Sequence, residues 1–318
     1  MQAIQGLHHV TAVERDPQRN IDFYRNVLGQ RFVKRTVNFD APDTYHFYFA
    51  DAVGSPGSVL TFFAWSNMPR GVPGNGETNS VAYNVPIGSL DFWQQQLKKN
   101  GIKTGEISKR FGQDVLAFND PDGMHLELVE VDTAPRLQHW EEGPIPQQYA
   151  LNGFHSVTLW LDEVEPTAQM LINQMGYRAA GQEENRYRFV GDTNATGHIV
   201  DILHRPGKMK ANFGAGSIHH IAFRVPNDET QLQYQASITE AGFRVSPVMD
   251  RSYFHSIYFR ERGGVLFEIA TDTPGFAIDE SIETLGETLK LPAWYEADRV
   301  AIENSLAPIT LSPIVKVN

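Results

Sequence analysis

Cysteine is absent from the 318-residue sequence, which excludes disulfide bonds, thiolate metal sites and a cysteine nucleophile. No apolar run approaches the roughly 18 residues that span a bilayer, and residues 1–10 lack the apolar segment of a secretory signal. Positive charge is also scarce, because 27 Lys and Arg face 38 Asp and Glu, a formal net charge of -11. This balance disfavours nucleic acid and anionic membranes as partners. We therefore expect a cytoplasmic protein without nucleic-acid or membrane partners.

Several catalytic motifs are absent as well. The sequence contains no glycine-rich phosphate loop and no GxSxG nucleophile motif, which disfavours a nucleotide-dependent enzyme or a serine hydrolase. Residues Asp120–Gly123 predict a turn, because the further acidic positions of a calcium-binding loop are missing. The composition is that of an ordinary globular protein, 41% hydrophobic and 20% charged, with enough length for about two domains. The 11 histidines are then the main candidates for metal ligands or bases.

Glycines that end predicted helices reveal an internal repeat. Gly29, Gly101, Gly176 and Gly242 each follow a segment with helical periodicity, and they recur at intervals of roughly 70 residues. Each predicted helix is preceded by one strand and followed by three, so the repeating unit is βαβββ. The sequence therefore predicts an α+β fold of four βαβββ units with cupped mixed sheets.

These units group into two predicted domains. Residues 1–135 form an N-terminal domain of two units, and residues 151–272 form a C-terminal domain of two more. Residues 136–150, rich in Pro, Gln and Glu, are the predicted linker. Residues 273–318 are an extension, and a predicted helix at 293–304 packs on the body or on another subunit.

A predicted β-hairpin at residues 250–270 contains the most informative charge. A Gly-Gly pair occupies its turn, and side chains of the strand after the turn alternate between two faces. Glu268 shares its face with Leu266 and Ala270, in a strand that otherwise has the pattern of a core strand. A buried, unpaired carboxylate is costly, so Glu268 should be neutralised, ion-paired or bound to a metal.

Two strands with near-duplicate sequences, LHHVT and IHHIAF, offer partners for this carboxylate. Alternation places His9 on the face opposite His8, and it places His220 on the face opposite His219. Because the apolar faces pack on helices, His9, His220 and Glu268 should line the concave side. Two imidazoles and a carboxylate with open positions form the facial triad of non-haem Fe(II) enzymes. The competing interpretation is that each strand histidine is a hydrogen-bonded core residue.

The other two units lack imidazoles at these positions. The second unit has Ser80 together with Glu127, which corresponds to Glu268, and the third unit has Ser156 together with Asp201. Neither set suits a divalent metal as well as two imidazoles and a carboxylate do. We therefore predict one metal per chain, bound between the first and fourth units.

Together these motifs resemble a known superfamily. Paired βαβββ units that open on a His-bearing strand and close on a GGxxFE strand are similar to those of the vicinal-oxygen-chelate proteins. That superfamily includes glyoxalase I, extradiol dioxygenases and fosfomycin-resistance proteins. The segments LHHVT, GQRFVKRTVNFD, YHFYFAD and IHHIAF and the 250–270 hairpin further resemble the hydroquinone ring-cleaving dioxygenases, such as the chlorohydroquinone enzymes and the methylhydroquinone-resistance proteins. The resemblance covers nearly the whole chain.

The resemblance implies roles for further residues. Tyr258 matches a tyrosine that hydrogen-bonds the substrate oxygen in extradiol enzymes, and Arg251 matches an arginine in the substrate pocket of the hydroquinone enzymes. The ordinary alternatives are a packing tyrosine and a solvated turn arginine. His8, His219 and Thr11 resemble pocket-wall residues that orient the ligands or a phenol hydroxyl.

The remaining strand histidines are predicted to be structural: His46, His125, His155 and His198. His255 is left unassigned. The acid/base histidine usual in extradiol enzymes therefore has no clear counterpart, which disfavours a plain catechol dioxygenase.

The leading hypothesis is a ring-cleaving dioxygenase that uses Fe(II) and O2 on a substituted hydroquinone. Mn(II) or another divalent metal in place of Fe(II), and a homo-oligomeric assembly, are left open. Two alternatives keep the metal site: a glyoxalase-like isomerase or lyase with Zn, Ni or Mn as a Lewis acid, and a catechol extradiol dioxygenase. A third alternative is a non-enzymatic protein that binds a drug or a quinone. The fold alone does not decide among them, since it hosts several reactions.

Overall fold

The computed structural model describes residues 2–132, 137–193 and 195–317. Within them, the order of strand, helix and three strands occurs four times, which confirms the predicted α+β fold of βαβββ units. Local sequence explains the helix ends: the Asp16 carboxylate accepts a hydrogen bond from the Arg19 backbone N–H at 3.0 Å, and Pro17 takes the first helical position. The four stop glycines have φ between +73° and +87°, which favours glycine: Gly29, Gly101, Gly176 and Gly242.

The elements of the four units have the following bounds. The first unit contains β1 (Leu7–Glu14), α1 (Pro17–Ile21) with a π-helical continuation (Asp22–Val27), β2 (Arg31–Asn38), β3 (Ala41–Ala50) and β4 (Val59–Ala64). The second contains β5 (Glu77–Pro86), α2 (Leu90–Lys99), β6 (Ser108–Arg110), β7 (Gln113–Asn119) and β8 (His125–Val131). The third contains β9 (Phe154–Leu161), α3 (Glu165–Gln169) with a π-helical continuation (Met170–Gln174), β10 (Arg178–Glu183), β11 (Arg186–Val190) and β12 (Ile199–His204). The fourth contains β13 (Ile218–Val225), α4 (Asp228–Glu240), β14 (Met249–Asp250), β15 (Phe254–Arg260) and β16 (Leu266–Pro274).

The strands form two curled, mixed sheets of eight strands each. The first has the order β14-β15-β16-β13-β1-β4-β3-β2 and joins the fourth unit to the first. The second has the order β10-β11-β12-β9-β5-β8-β7-β6 and joins the third unit to the second. Each sheet thus combines one unit from residues 1–135 with one from residues 151–272. The division into two domains at these halves stays a prediction, and its boundary at 135–136 lies outside the described residues.

The apolar faces of both sheets pack into one hydrophobic core. It includes Leu7 of β1, Ile221 of β13 and Val81 of β5, together with Tyr24 and Trp93 from the helical segments. Burial of this apolar surface is the main favourable contribution to folding. Because the core occupies one face of the first sheet, the opposite face is left for a functional site.

The C-terminal extension is fastened to the first sheet by a buried charge cluster. Lys34 of β2 is fully buried; its Nζ contacts Glu280 and lies 2.6 Å from Asp279 Oδ1 and 4.8 Å from the centre of the Tyr253 ring. The ring of Phe276 stacks on Tyr253 at 5.2 Å. The extension therefore packs against residues of the first sheet.

The helical segments in the described part of the extension are short, and an isolated β-bridge joins Leu289 of the extension to Arg35 of β2. Three 3-10 turns (Phe276–Ile278, Ile282–Thr284 and Ala293–Asp298) lead to α5 (Arg299–Ser305). The helix predicted at 293–304 is thus divided between a 3-10 turn and α5, and Ile302 packs into the core. A search of the described helices for one that could cross a bilayer finds none of sufficient length and hydropathy.

Candidate metal centre and active-site cavity

Strand pairing brings three side chains into one row across the first sheet. His9 of β1 lies opposite Ala222 of β13, and Ala222 lies opposite Glu268 of β16. His220 precedes Ala222 by two residues and therefore shares its face. The small methyl group of Ala222 leaves space between the three longer side chains. The register of two strand pairs thus assembles the site.

The three longer side chains each present one donor atom to the same space. The Nε2 atoms of His9 and His220 are 3.4 Å apart, and they lie 3.3 Å and 2.9 Å from Oε2 of Glu268. All three residues are buried. Nitrogen and oxygen ligands lie about 2.0–2.2 Å from a divalent metal, so adjacent ligand atoms are separated by roughly 3.0–3.4 Å. The observed separations fit a divalent metal bound on one face by two imidazoles and a carboxylate.

The surroundings of Glu268 also favour a cation. Ser256 Oγ donates a hydrogen bond to Oε1, whereas Oε2 is buried without a hydrogen-bond partner among the described residues. Burial would raise the pKa of Glu268, but His9 and His220 outweigh it and hold this pKa well below its usual value. A buried carboxylate that stays ionised needs a nearby cation to offset its lost hydration. A divalent metal satisfies this requirement.

A β-bulge occurs in each of the two His-His strands. The pairing of β1 with β13 skips His8 in one strand and His219 in the other. Each is an extra residue placed directly before a candidate ligand, and a bulge re-aims the side chain it carries. The His8 ring accordingly lies 5.0 Å from that of Phe254, and His219 lines the cavity described below. The strict alternation that placed both residues on the apolar face was therefore wrong at these two positions.

Each bulge histidine contacts the histidine that follows it. The Nδ1 atoms of His8 and His9 are 3.0 Å apart, and those of His219 and His220 are 2.7 Å apart. If Nε2 of His9 or His220 directs its lone pair toward a metal, the proton lies on Nδ1 and is donated to the bulge histidine. Burial lowers the pKa of His8 well below its usual value and that of His219 to about 3, so both are neutral acceptors. This arrangement can fix the tautomer and ring orientation of both ligands.

A cavity of about 350 Å³ opens beside the three donor atoms. Phe63, Trp65, Tyr48 and Phe254 supply aromatic walls. Cavities of a few hundred Å³ with apolar walls and a few polar groups are typical small-molecule sites. The size and lining suit one substituted benzene ring.

Tyr258 lies next to Glu268 on the neighbouring strand and also faces the cavity. Its hydroxyl accepts a hydrogen bond from Arg251 Nε at 3.1 Å, and Arg251 Nη1 lies 3.3 Å from Asp40 Oδ2. Burial and then the charge of Glu268 raise the pKa of Tyr258, so the phenol keeps its proton. The hydroxyl, positioned by Arg251, can therefore donate to an oxygen atom in the cavity.

A chain of hydrogen bonds runs from the cavity wall into the sheet. Thr11 Oγ1 lies 2.8 Å from Thr61 Oγ1, which lies 2.9 Å from His46 Nε2, and His46 Nδ1 lies 2.9 Å from Tyr48 OH. Both Thr11 and His46 line the cavity. Sequence reasoning assigned His46 a structural role and missed this position. The signal that could have found it is the alternation in YHFYFAD, which places His46 and Tyr48 on one face of β3 and Phe47 on the other.

His8 is absent from the described lining of this cavity, as are His125, His155, His198 and His255. His155 contacts the neighbouring Ser156, and His198 contacts a backbone carbonyl. His255 pairs with a surface aspartate, and His125 lies beside a tryptophan ring.

The corresponding positions of the second sheet are filled by ion pairs. Arg110 binds both oxygens of Glu127 at 2.6 and 2.8 Å, and Arg188 binds both oxygens of Asp201 at 2.9 Å. These bidentate pairs neutralise the carboxylates that correspond to Glu268. Within residues 2–132, 137–193 and 195–317, the cluster in the first sheet is the one group of three or more potential metal ligands.

Comparisons with known proteins identify a family and several named relatives. The family model described as glyoxalase/bleomycin resistance protein/dioxygenase superfamily matches residues 6–128 and 147–269. The chain is 45% identical to the Bacillus subtilis protein MhqO, provisionally named a ring-cleaving dioxygenase, over 95% of this chain and 96% of that protein. It is 34% identical to a chlorohydroquinone/hydroquinone 1,2-dioxygenase of Sphingobium indicum over 98% of each chain.

Solved structures give the same picture of the fold. A crystal structure of a provisionally named dioxygenase from Bacillus subtilis superposes with a TM-score of 0.94 at 42% identity, covering 99% of this chain and 100% of that one. Glyoxalase I from Zea mays superposes with a TM-score of 0.62 at 12% identity, covering 84% of this chain and 92% of that one, and this likeness concerns the fold alone.

Proposed function

Because the chain belongs to the glyoxalase/bleomycin resistance protein/dioxygenase superfamily, we propose that it is a metal-dependent dioxygenase that cleaves the ring of a substituted hydroquinone. The observation that carries this proposal is the convergence of Glu268 Oε2 with the Nε2 atoms of His9 and His220. That oxygen lies within 3.3 Å of two imidazole Nε2 atoms, at the edge of an aromatic-lined cavity of about 350 Å³.

Fe(II) is the proposed metal, with Mn(II) or another divalent ion as the alternative, and His9, His220 and Glu268 would hold it. When bound, Fe(II) supplies the one-electron chemistry by which O2 and an aromatic ring can react. His8 and His219 would keep the two imidazoles in the tautomer that binds metal. The cavity walls would hold the ring next to the donor atoms and exclude bulk water.

Proton transfer is assigned to the chain's own side chains. A substrate hydroxyl that donates to Thr11 is connected through Thr61 to His46 Nε2. With its own proton on Nδ1, facing Tyr48, neutral His46 would accept this proton at Nε2. Burial lowers the pKa of His46 well below its usual value, so His46 would hold the proton only transiently and return it as the ring opens. Tyr258, positioned by Arg251, would donate a hydrogen bond to the oxygen on which negative charge develops.

The proposed reaction balances without an external reductant. The bond between the hydroxyl-bearing ring carbon and its unsubstituted neighbour breaks, as does the O–O bond. One oxygen atom ends in a carboxylic acid on the first carbon, and the other ends in an aldehyde on the second. The ring supplies all four electrons that reduce O2, so hydroquinone and O2 are consumed in equal amounts.

Oxygen consumption tests this proposal directly. Protein purified without oxygen and reconstituted with Fe(II) would be given hydroquinones and catechols in an oxygen-electrode assay, with His220→Ala as the control. We expect about one O2 per hydroquinone with the wild-type protein, and no uptake with the variant. Uptake with catechols alone would move the protein to the catechol extradiol group. Metal-loaded protein that consumes no O2 with any phenol contradicts the dioxygenase proposal and favours a glyoxalase-like isomerase or lyase.

A further inference from the structure

A second cavity adjoins the one at the metal centre. Its volume is about 420 Å³, and His219 and Leu266 line both cavities. The two cavities therefore share part of their lining. Nothing in the proposed ring-opening chemistry uses the second cavity.

His219 forms an aromatic partition between the two cavities. Its ring lies edge-on to Phe63, which lines the metal cavity, at 5.7 Å, and to Phe213, which lines the second cavity, at 5.6 Å. Its Nδ1 faces His220. If that nitrogen accepts from His220, the single proton of neutral His219 is on Nε2, which can donate a hydrogen bond.

The lining of the second cavity contains two positively charged side chains. Lys210 and Arg260 line it, and within the described residues no carboxylate oxygen approaches the charged group of either one within salt-bridge distance. The one acidic residue in its lining is Glu77, whose Oε1 accepts hydrogen bonds from the Gly74 N–H and the Asn79 amide. Arg260 Nη1 donates to the Gly264 carbonyl, and the two cations outnumber Glu77 in the lining, so this cavity favours an anion in a chain with a net charge of -11.

We propose that this second cavity is a carboxylate subsite, and that it receives the carboxylate formed when the ring opens. The proposal rests on the proposed function. Ring cleavage converts a neutral aromatic ring, which suits the aromatic metal cavity, into a flexible acid aldehyde that is ionised at neutral pH. Lys210 and Arg260 would bind its carboxylate and so favour its departure from the metal.

The test uses cis,cis-muconate, a six-carbon dicarboxylate, as a stable probe of the product's shape and charge. Its dissociation constant would be measured by calorimetry on the Fe(II)-loaded protein without oxygen. The double variant Lys210→Gln/Arg260→Gln should weaken muconate binding by about five- to tenfold, as expected for two partly exposed charge pairs. The matched control Lys208→Gln/Arg262→Gln removes the same charge from neighbouring positions outside the cavity lining and should change it less than about twofold.

Two further measurements identify the source of the carboxylate. If the subsite serves the product, the double variant loses inhibition by accumulated product while its KM for methylhydroquinone is unchanged. If it serves a substrate substituent, the KM of the double variant for carboxymethylhydroquinone rises instead. The second cavity would then still be a carboxylate subsite, but its carboxylate would come from the substrate. Equal muconate binding by the wild type, the double variant and the control overturns the subsite.

Failure of the subsite and failure of the proposed function give different results. In one outcome, muconate binding depends on Lys210 and Arg260 but the protein consumes no O2 with any phenol. This result would support the subsite and contradict the dioxygenase. In the other outcome, the protein consumes O2 with hydroquinone but muconate binding does not depend on either residue. This result would support the dioxygenase and contradict the subsite.

Discussion

The Nδ1 atom of His8 lies 3.0 Å from the Nδ1 atom of His9, so that one imidazole supports the next along the same strand. The fourth unit repeats this contact between His219 and His220 at 2.7 Å. In the second sheet, His155 is skipped by strand pairing in the same way, and its Nδ1 lies 2.9 Å from Ser156 Oγ. The bulge is therefore a feature of the fold that does not depend on a metal ligand.

Replacing His8 by Phe should weaken metal binding. Phe fills a similar volume but removes the atom that can accept the Nδ1 proton of His9, so the ligand loses its fixed tautomer. We expect the metal affinity to fall by about 10- to 100-fold. Calorimetric titration with Mn(II) measures this without turnover. His155→Phe, at the corresponding bulge of the second sheet, should leave Mn(II) affinity unchanged; equal losses in both variants would show that only packing was disturbed.

Metal binding should stabilise the folded protein through Glu268. A metal that binds only the native state at about 1,000 times its dissociation constant adds about 4 kcal/mol to the free energy of unfolding. Differential scanning calorimetry should show a higher Tm with metal than with a chelator. Glu268→Gln keeps the size of the side chain but removes its charge, and it should abolish most of this difference. A Glu268→Gln protein whose Tm still rises fully with metal would contradict the ligand assignment.

Interrupting the hydrogen-bond chain at Thr61 should slow catalysis without removing the metal. Thr61→Val deletes the hydroxyl that joins Thr11 to His46, and we expect kcat to fall by about 100-fold, the lower range for lost acid–base catalysis. Thr61→Ser keeps the hydroxyl and should retain most of the activity. Mn(II) affinity should be the same in both variants. If Thr61→Val and Thr61→Ser have equal kcat, the proton does not travel by this route.

Glu14 should make stability depend on pH. Burial, followed by the charge of Asp122, raises its pKa from 4.5 to about 9, and neither carboxylate oxygen has a hydrogen-bond partner among the described residues. The folded protein thus keeps a proton that the unfolded chain releases at lower pH. The stability present below pH 4.5 is progressively lost as the pH rises toward 9.

Glu14→Gln should remove this dependence. At pH 8 the variant should be more stable than the wild type by about 5 kcal/mol, while the two should converge near pH 4.5. Guanidinium unfolding at several pH values, with a chelator present, measures the difference. Glu229→Gln removes a charge from an exposed site and should leave the slope unchanged. Parallel curves for Glu14→Gln and the wild type would contradict the buried proton.

The ion pairs of Lys34 should hold the C-terminal extension in place. Lys34→Met leaves Asp279 and Glu280 without their buried cation, which should cost about 3–5 kcal/mol of stability. Limited proteolysis should then cut after residue 274 sooner than in the wild type. Lys290→Met, whose Nζ lies 4.0 Å from Glu280 at a more exposed position, should have a much smaller effect. Similar proteolysis of both variants would show that other contacts secure the extension.

Local sequence patterns were sufficient for much of this architecture. The four βαβββ units follow from periodicity and from glycines that must adopt positive φ, because both depend on short-range stereochemistry. The candidate ligands His9, His220 and Glu268 also follow from sequence, since a charged or imidazole side chain in a core-like strand requires a partner. The superfamily resemblance added the expected reaction, metal-dependent cleavage of a hydroquinone ring.

Tertiary structure alone decided how the site is completed. The bulges that re-aim His8 and His219 depend on the register between β1 and β13, whose residues are more than 200 positions apart in the chain. The entry of His46 into the cavity wall and the packing of Phe276 behind it likewise depend on which distant strands become neighbours. Strand alternation specifies the two faces of a strand, but register and bulges determine which side chains meet.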